Sequence, residues 1–220
     1  MINLKNITKK YANLTVFDGF NLSIKRGITT CVLGESGSGK TTLLNIIANL
    51  TPFDGQIDSV SVSYAFQKPN LVKSLTALQN LTLVGCSGIN AIKILKAVNL
   101  EDKVNAYPNH LSGGQAQRVS LARALIKEAD VLLMDDPFSS LDVKTKTELI
   151  ARINALITQK NRTVLFVTHD VDEALAMADE IIVLKNNDAS FSIKIETDKL
   201  KRSLGDDDKN RKIILDYLKK

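Results

Sequence analysis

The chain has 220 residues, enough for one large domain or one domain with an inserted lobe. With 44% hydrophobic and 24% charged residues it encodes a well-buried core, which excludes a disordered chain. No apolar run approaches the roughly 18–20 residues that span a bilayer, so any membrane work is expected to go through a partner.

The net charge of +5 comes from scattered lysines and a basic C-terminal tail rather than from a nucleic-acid-binding block. Two cysteines, Cys31 and Cys86, are too few for a disulfide framework. Two histidines, His110 and His169, exclude a His-rich metal site. The start, Met1-Ile-Asn-Leu, lacks the apolar core of a leader peptide, and a cytosolic location is expected.

Residues 2–8 and 19–24 alternate apolar and polar, which predicts half-buried strands in an antiparallel sheet edge, with Tyr11 in the polar link between them. Ile28–Leu33 is short, apolar and β-branched and reads as a buried strand. Gly34-Glu-Ser-Gly-Ser-Gly-Lys-Thr41 follows and matches G-x-x-x-x-G-K-[ST], the phosphate-binding P-loop. Leu43, Leu44, Ile46, Ile47 and Leu50 recur at helical spacing behind it, which completes the strand–loop–helix context. Glycine in such a loop lets backbone N–H groups turn inward around an anion, and the helix N-terminus adds partial positive charge. Lys40 is expected to reach the β- and γ-phosphates and the Thr41 hydroxyl to ligate Mg²⁺.

Pro52–Gly55 is a turn signal, and Val60–Phe66 alternates as a strand that ends at Gln67. Leu71–Leu83 and Ala91–Val98 have helix-like spacing, with loops at Gly85–Gly88 and near Pro108. These features predict a small helical lobe, about 68–110, inserted into a core of about 1–67 and 111–187, with a C-terminal extension of about 188–220. Leu111-Ser-Gly-Gly-Gln115 opens a helix with the stripe Val119, Ala122, Leu125 and Ile126. Asp130–Asp135 is an apolar strand ending in acids, Lys144–Lys160 is an amphipathic helix, and Thr163–Thr168 is a buried strand ending at His169. A helix over Val171–Ala178 and a strand over Glu180–Lys185 come next. Ser190–Ile195 alternates as a last strand, Asp206–Asn210 suits a helix start, and Ile213, Ile214, Tyr217 and Leu218 form an apolar face. Alternating strands and helices imply an α/β fold with a mostly parallel sheet. The P-loop, Gln67, Asp135 and His169 all follow strands, so they are expected to meet at one sheet edge.

Tyr11, Gly34–Thr42, Gln67, Leu111–Gln115, Val131–Pro137, Ser139-Ser-Leu-Asp142 and His169 stand in the order found in ATP-binding subunits of ABC transporters. The chain resembles that family over roughly residues 1–185. The resemblance implies a P-loop NTPase that binds ATP and Mg²⁺, hydrolyses ATP, and works as a head-to-tail homodimer or heterodimer. Each ATP would lie between Gly34, Glu35, Ser36, Gly37, Ser38, Gly39, Lys40, Thr41 and Thr42 of one subunit and Leu111, Ser112, Gly113, Gly114 and Gln115 of the other. A Gly-Gly pair opening a helix suits this role as a second anion-binding N-terminus. Tyr11 would stack on adenine. Asp135, Thr41 and Gln67 would hold Mg²⁺, His169 would touch the γ-phosphate, and Asp142 would lie in the loop crossing the dimer interface. Asp136 occupies the position of the family's usual glutamate general base. A carboxylate there can still accept a proton. Aspartate is one methylene shorter, and a misplacement of about 1 Å can cost on the order of a hundredfold. Turnover is then slow, or the local backbone compensates.

Pro137-Phe-Ser-Ser-Leu-Asp142 and Val167–Ala174 resemble the importers of nitrate, sulfonates, taurine and thiamine precursors. That likeness implies an integral membrane permease, an extracytoplasmic solute-binding protein and a position on the cytoplasmic membrane face, with no nucleic acid. The permease would dock near Gln67–Leu75. An exporter or cell-division ATPase is the alternative, as is a non-transport relative acting on nucleic acid. The coiled coils, zinc insertions or second ATPase domain of the last group do not fit in 220 residues.

Overall fold

The computed structural model describes residues 1–12, 14–185, 188–194 and 208–219. Apolar residues spaced along the first two strands build an antiparallel sheet. β1 (Ile2–Tyr11) pairs with β2 (Leu14–Ile24) on one side and β4 (Asp54–Ile57) on the other. Its inner face carries Ile2, Leu4, Ile7, Phe17, Phe20, Leu22 and Ile24. Both long strands run further than their alternation predicts, and Tyr11 pairs with Leu14 rather than lying in a link. Their outer halves slip register repeatedly, which breaks the period-2 pattern there. β4 stands partly where a turn is expected. Most of its side chains are exposed, so only pairing with β1 fixes it as a strand.

The second sheet has six strands in the order β5-β6-β7-β3-β8-β9. β5 (Val62–Ala65), β6 (Val131–Asp135), β7 (Thr163–Thr168), β3 (Thr29–Leu33) and β8 (Glu180–Lys185) run parallel, and β9 (Asp188–Lys194) is antiparallel. β3, β6 and β7 are buried at every position, which is why they read as unbroken apolar runs. Successive residues serve opposite faces. Val32, Val131, Leu133, Leu165 and Val167 pack with the antiparallel sheet and α1 (Lys40–Ile47). Cys31, Leu33, Leu132, Met134 and Phe166 pack against the remaining helices.

Those helices are α2 (Ala77–Thr82), α3 (Gly88–Ala97), α4 (Gly113–Ile126), α5 (Val143–Gln159), α6 (Val171–Met177) and α7 (Asp208–Lys219). α2 and α3 pack on α4 through Ala77, Leu81, Ala91, Leu95 and Val119. α7 rests on α6 and β8 with Ile214 buried. The expected strand end at Ile195 and helix start at Asp206 lie outside the described residues.

Helical spacing predicts a helix from Leu71, yet α2 begins only after Thr76, whose hydroxyl and Gln79 form a reciprocal capping box. The preceding loop is closed instead by the fully buried side chain of Asn80. Its Nδ2 donates to the carbonyls of Val72 (3.2 Å), Leu75 (3.1 Å) and Thr76 (3.0 Å), and its Oδ1 accepts from Val72 N (2.9 Å). Arg123 on α4 adds a bond to the Asn70 carbonyl at 2.7 Å. Asn80→Ala would remove the partner of the Val72 N–H and of three loop carbonyls and leave a void at a fully buried position. We expect a loss of about 2–4 kcal/mol in urea unfolding. Asn70→Ala, which leaves the engaged carbonyl in place, should unfold at the wild-type midpoint.

Candidate nucleotide site

The P-loop leaves the centre of the parallel sheet, because β3 lies between β7 and β8. In register, Leu33 stands beside Thr168 and Asp135 beside Val167. The glycine loop, the acid pair and His169 therefore start from adjacent strand ends. Gly39 caps α1 at φ +96° with no side-chain hydrogen bond, so the first-turn amides remain available to an anion. A Cβ at Gly39 would come within 2.9 Å of Val16 Cγ1 and 3.0 Å of the Phe17 ring.

Lys40 is 7% exposed, and its Nζ donates to the carbonyls of Gly34 and Glu35, each at 2.7 Å. Burial pulls its ammonium below the ordinary lysine value, and the charges of Asp136 and Asp135 oppose that pull. The Ser38 hydroxyl is buried in the loop with no hydrogen-bond partner. Thr41 Oγ1 donates to Asp135 Oδ1 at 3.1 Å. Burial raises the Asp135 carboxyl above the usual carboxylate range, against the Thr41 bond.

A cavity of about 350 Å³ opens over this loop. Ser36, Gly37, Gly39, Lys40, Thr41 and Thr42 line it, together with Gln67, Asp136, Tyr11, Leu14 and Val16. The structure thus brings Tyr11 and Gln67 to the P-loop, while Gly34, Glu35 and Ser38 form the loop without lining the cavity. The Lys9 ammonium sits 4.4 Å from the centre of the Tyr11 ring. Thr41 Oγ1 and Asp135 Oδ1, 3.1 Å apart, and the Gln67 amide on the cavity wall offer hard oxygen atoms. That donor set fits Mg²⁺, which takes few protein ligands and fills its sphere with phosphate oxygens and water. Among the described residues, no group of three or more His, Cys, Asp or Glu side chains could hold a metal unaided.

Asp136 takes the left-handed backbone conformation at φ +43°, where aspartate is better tolerated than most residues. Its N–H donates to Val167 O at 3.0 Å, which ties the turn to β7. Its Oδ1 lies 3.2 Å from His169 Nδ1. The imidazole is largely exposed and the carboxylate mostly buried.

Leu111, Ser112, Gly113, Gly114 and Gln115 do not line this cavity. Ser112 caps α4: Gln115 N donates to Ser112 Oγ at 3.2 Å, and Ser112 N donates to Gln115 Oε1 at 2.9 Å. Ser112 and Gly113 are exposed, and a Cβ at Gly114 would lie 3.2 Å from Leu141 Cδ2 and from Ser140 O. The α4 N-terminus therefore adjoins the Ser139–Asp142 turn. Asp142 is exposed and caps α5 by accepting from Thr145 N at 3.0 Å.

The family model described as ABC transporter matches residues 17–139. The chain belongs to the ABC transporter family. This ABC subunit is 40% identical over 191 residues to an aliphatic sulfonates import ATP-binding protein of Rhodococcus jostii, covering 84% of this chain and 71% of the relative. It is 42% identical over 200 residues to another so named from Pseudomonas fluorescens, covering 88% and 77%. Among solved structures, the dimeric post-hydrolysis state of the ATP-binding cassette MJ0796 bound to ADP and Pi superposes with a TM-score of 0.82. That match has 33% identity and covers 90% of this chain and 100% of the other. The ABC subunit is thus an ATP-binding protein and an ATPase with the P-loop NTPase fold.

Sequence reasoning passed over several side chains of the ABC subunit's site. Leu14 and Val16 reach the cavity from β2 but belong to no motif. Gln117, buried on α4, donates to Phe66 O at 3.2 Å and so steadies the residue before Gln67. Its position two residues beyond Leu111–Gln115 is the available signal. Lys40→Ala should weaken ATP binding by at least about a hundredfold in calorimetric titration, since charge-assisted bonds to phosphate are the strong ones. Wild-type affinity in that variant would remove Lys40 from the site.

Proposed function

We propose that this chain is the ATP-hydrolysing motor of an importer for a small organosulfonate, driving uptake through a membrane permease. The observation that supports the reading most is the convergence of Lys40, the Thr41–Asp135 pair and the Asp136–His169 pair at one sheet edge. The sulfonate class follows the names of the two sulfonate-importer relatives. No helix among the described residues is long and apolar enough to cross a membrane, and the permease would supply the membrane-spanning part. The subunit would sit on the cytoplasmic membrane face as a homodimer or heterodimer of cassettes, served by an extracytoplasmic solute-binding protein.

In this reading Tyr11 stacks on adenine, with Leu14 and Val16 beside it. The loop Gly34–Thr42 cradles the phosphates, and Thr41, Asp135 and Gln67 hold Mg²⁺, which supplies charge neutralisation when bound. Asp136 accepts the proton of the attacking water, and His169 orients Asp136 and meets the γ-phosphate. Ser112, Gly113, Gly114 and Gln115 serve the nucleotide of a partner cassette, with Leu111 behind them and Asp142 at the interface. Residues 68–110 work as a lobe between core segments 1–67 and 111–187, and 188–220 are an extension.

Asp136→Asn keeps the size of the side chain and removes the proton acceptor. ATP binding should persist while steady-state hydrolysis falls at least about a hundredfold. Full activity in the Asn variant would dismiss Asp136 as the base. In Asp136→Glu the extra methylene displaces a carboxylate already bonded to His169, so hydrolysis should be no faster than wild type.

Ser112→Arg should leave ATP binding by the single chain unchanged. Sedimentation with ATP in the Asp136→Asn background should then show no dimer, because a bulky cation obstructs the exposed α4 N-terminus. Dimer formation in that variant would argue against the head-to-tail arrangement.

A further inference from the structure

Four side chains, Lys146, Glu173, Thr168 and Asp170, form a partly buried polar chain beside the site. Lys146 lies on the first turns of α5, and its backbone N–H donates to the Asp142 carbonyl at 2.9 Å. Its ammonium is mostly shielded and contacts Glu173 Oε1 at 2.5 Å and Asp170 Oδ2 at 3.1 Å. Glu173 is 2% exposed, and its other oxygen accepts from the Thr168 hydroxyl at 2.8 Å. Thr168 Oγ1 in turn accepts from Asp170 N at 3.1 Å. Asp170 Oδ1 caps α6 through Asp172 N (2.9 Å) and Glu173 N (3.2 Å). Burial alone would lower the Lys146 ammonium, but the bonds and charges of Glu173 and Asp170 outweigh it and hold it above the ordinary lysine value.

Both residues flanking His169 are therefore fastened, while the imidazole itself is largely exposed and lies against Asp136. A partly buried ion cluster gives little net stability over an apolar one, but it imposes one geometry. We propose that Lys146 is a positioning residue for His169: by clamping Glu173 and Asp170 it fixes Thr168 and the start of α6, and so holds the imidazole against Asp136. The inference rests on the reading of Asp136 and His169 as a working pair in ATP hydrolysis.

The test uses the full chain with MgATP. Lys146→Met keeps the stem and deletes the charge. kcat should fall about ten- to a hundredfold with KM within about twofold, and Lys146→Arg should recover kcat to within about threefold. In a His169→Ala background Lys146→Met should cost nothing further, because both changes act through the same group. Effects that multiply, or an unchanged kcat, overturn the proposal. With only two histidines in the chain, the imidazole NMR signals supply a readout without turnover. The His169 signal should shift in the Met variant and return in the Arg variant, and a signal that does not move also overturns the proposal. If Lys146→Met fails to melt cooperatively, Thr168→Val severs the same chain at its other end and is judged by the same criteria. A wild-type chain that does not hydrolyse ATP while its His169 signal responds would defeat the functional reading and leave the positioning intact.

Discussion

The parallel register of β6, β7 and β3 is the constraint on which the site depends. Three strands, each buried along its whole length, end within one step of each other. Their last residues open into the P-loop, the Asp135-Asp136 pair and His169. A register slip of one residue would turn Asp135 to the opposite face and drive an apolar neighbour into its place. The apolar packing on both faces of the sheet forbids that slip. Site geometry is thus enforced by hydrophobic burial that lies entirely beneath it.

The same architecture gives the chain two glycine-flanked helix starts, α1 and α4. α1 starts at the cavity, with its lysine folded back on the loop carbonyls and its acids close by. α4 starts at an exposed corner, beside the turn that begins α5. Its cap is self-sufficient, since Ser112 and Gln115 satisfy each other. The α4 start does not line the cavity at the α1 start. The physical case for pairing two cassettes is this separation.

Legibility in the sequence followed burial. β3, β6 and β7 are apolar because both faces are covered, and their ends marked the acids and the histidine directly. The P-loop was legible because a Cβ at Gly34 or Gly39 has no room. β4 was not, since an exposed edge strand carries no alternation and exists only by pairing with β1. The loop before α2 read as helix because Leu71 and Leu75 share the spacing of a helical stripe. A single buried amide, Asn80, wins that segment for a loop through bonds that no local pattern announces. Lys146 and Glu173 escaped notice for a related reason. They lie 27 positions apart in the chain, and only the packing of α5 beside α6 makes them a pair.

Gly39 is where the antiparallel sheet touches the P-loop, and the contact is unequal in what it permits. Phe17 and Val16 press on the glycine from one side, and the α1 backbone turns at positive φ on the other. A smaller residue at position 17 would leave a void that neighbours can partly fill, whereas any side chain at position 39 meets both a strained backbone and an occupied space. Sequence drift between related cassettes should therefore be lopsided across this contact. The sheet can vary its aromatic inventory over evolutionary time, while the loop keeps its glycine whatever the sheet does.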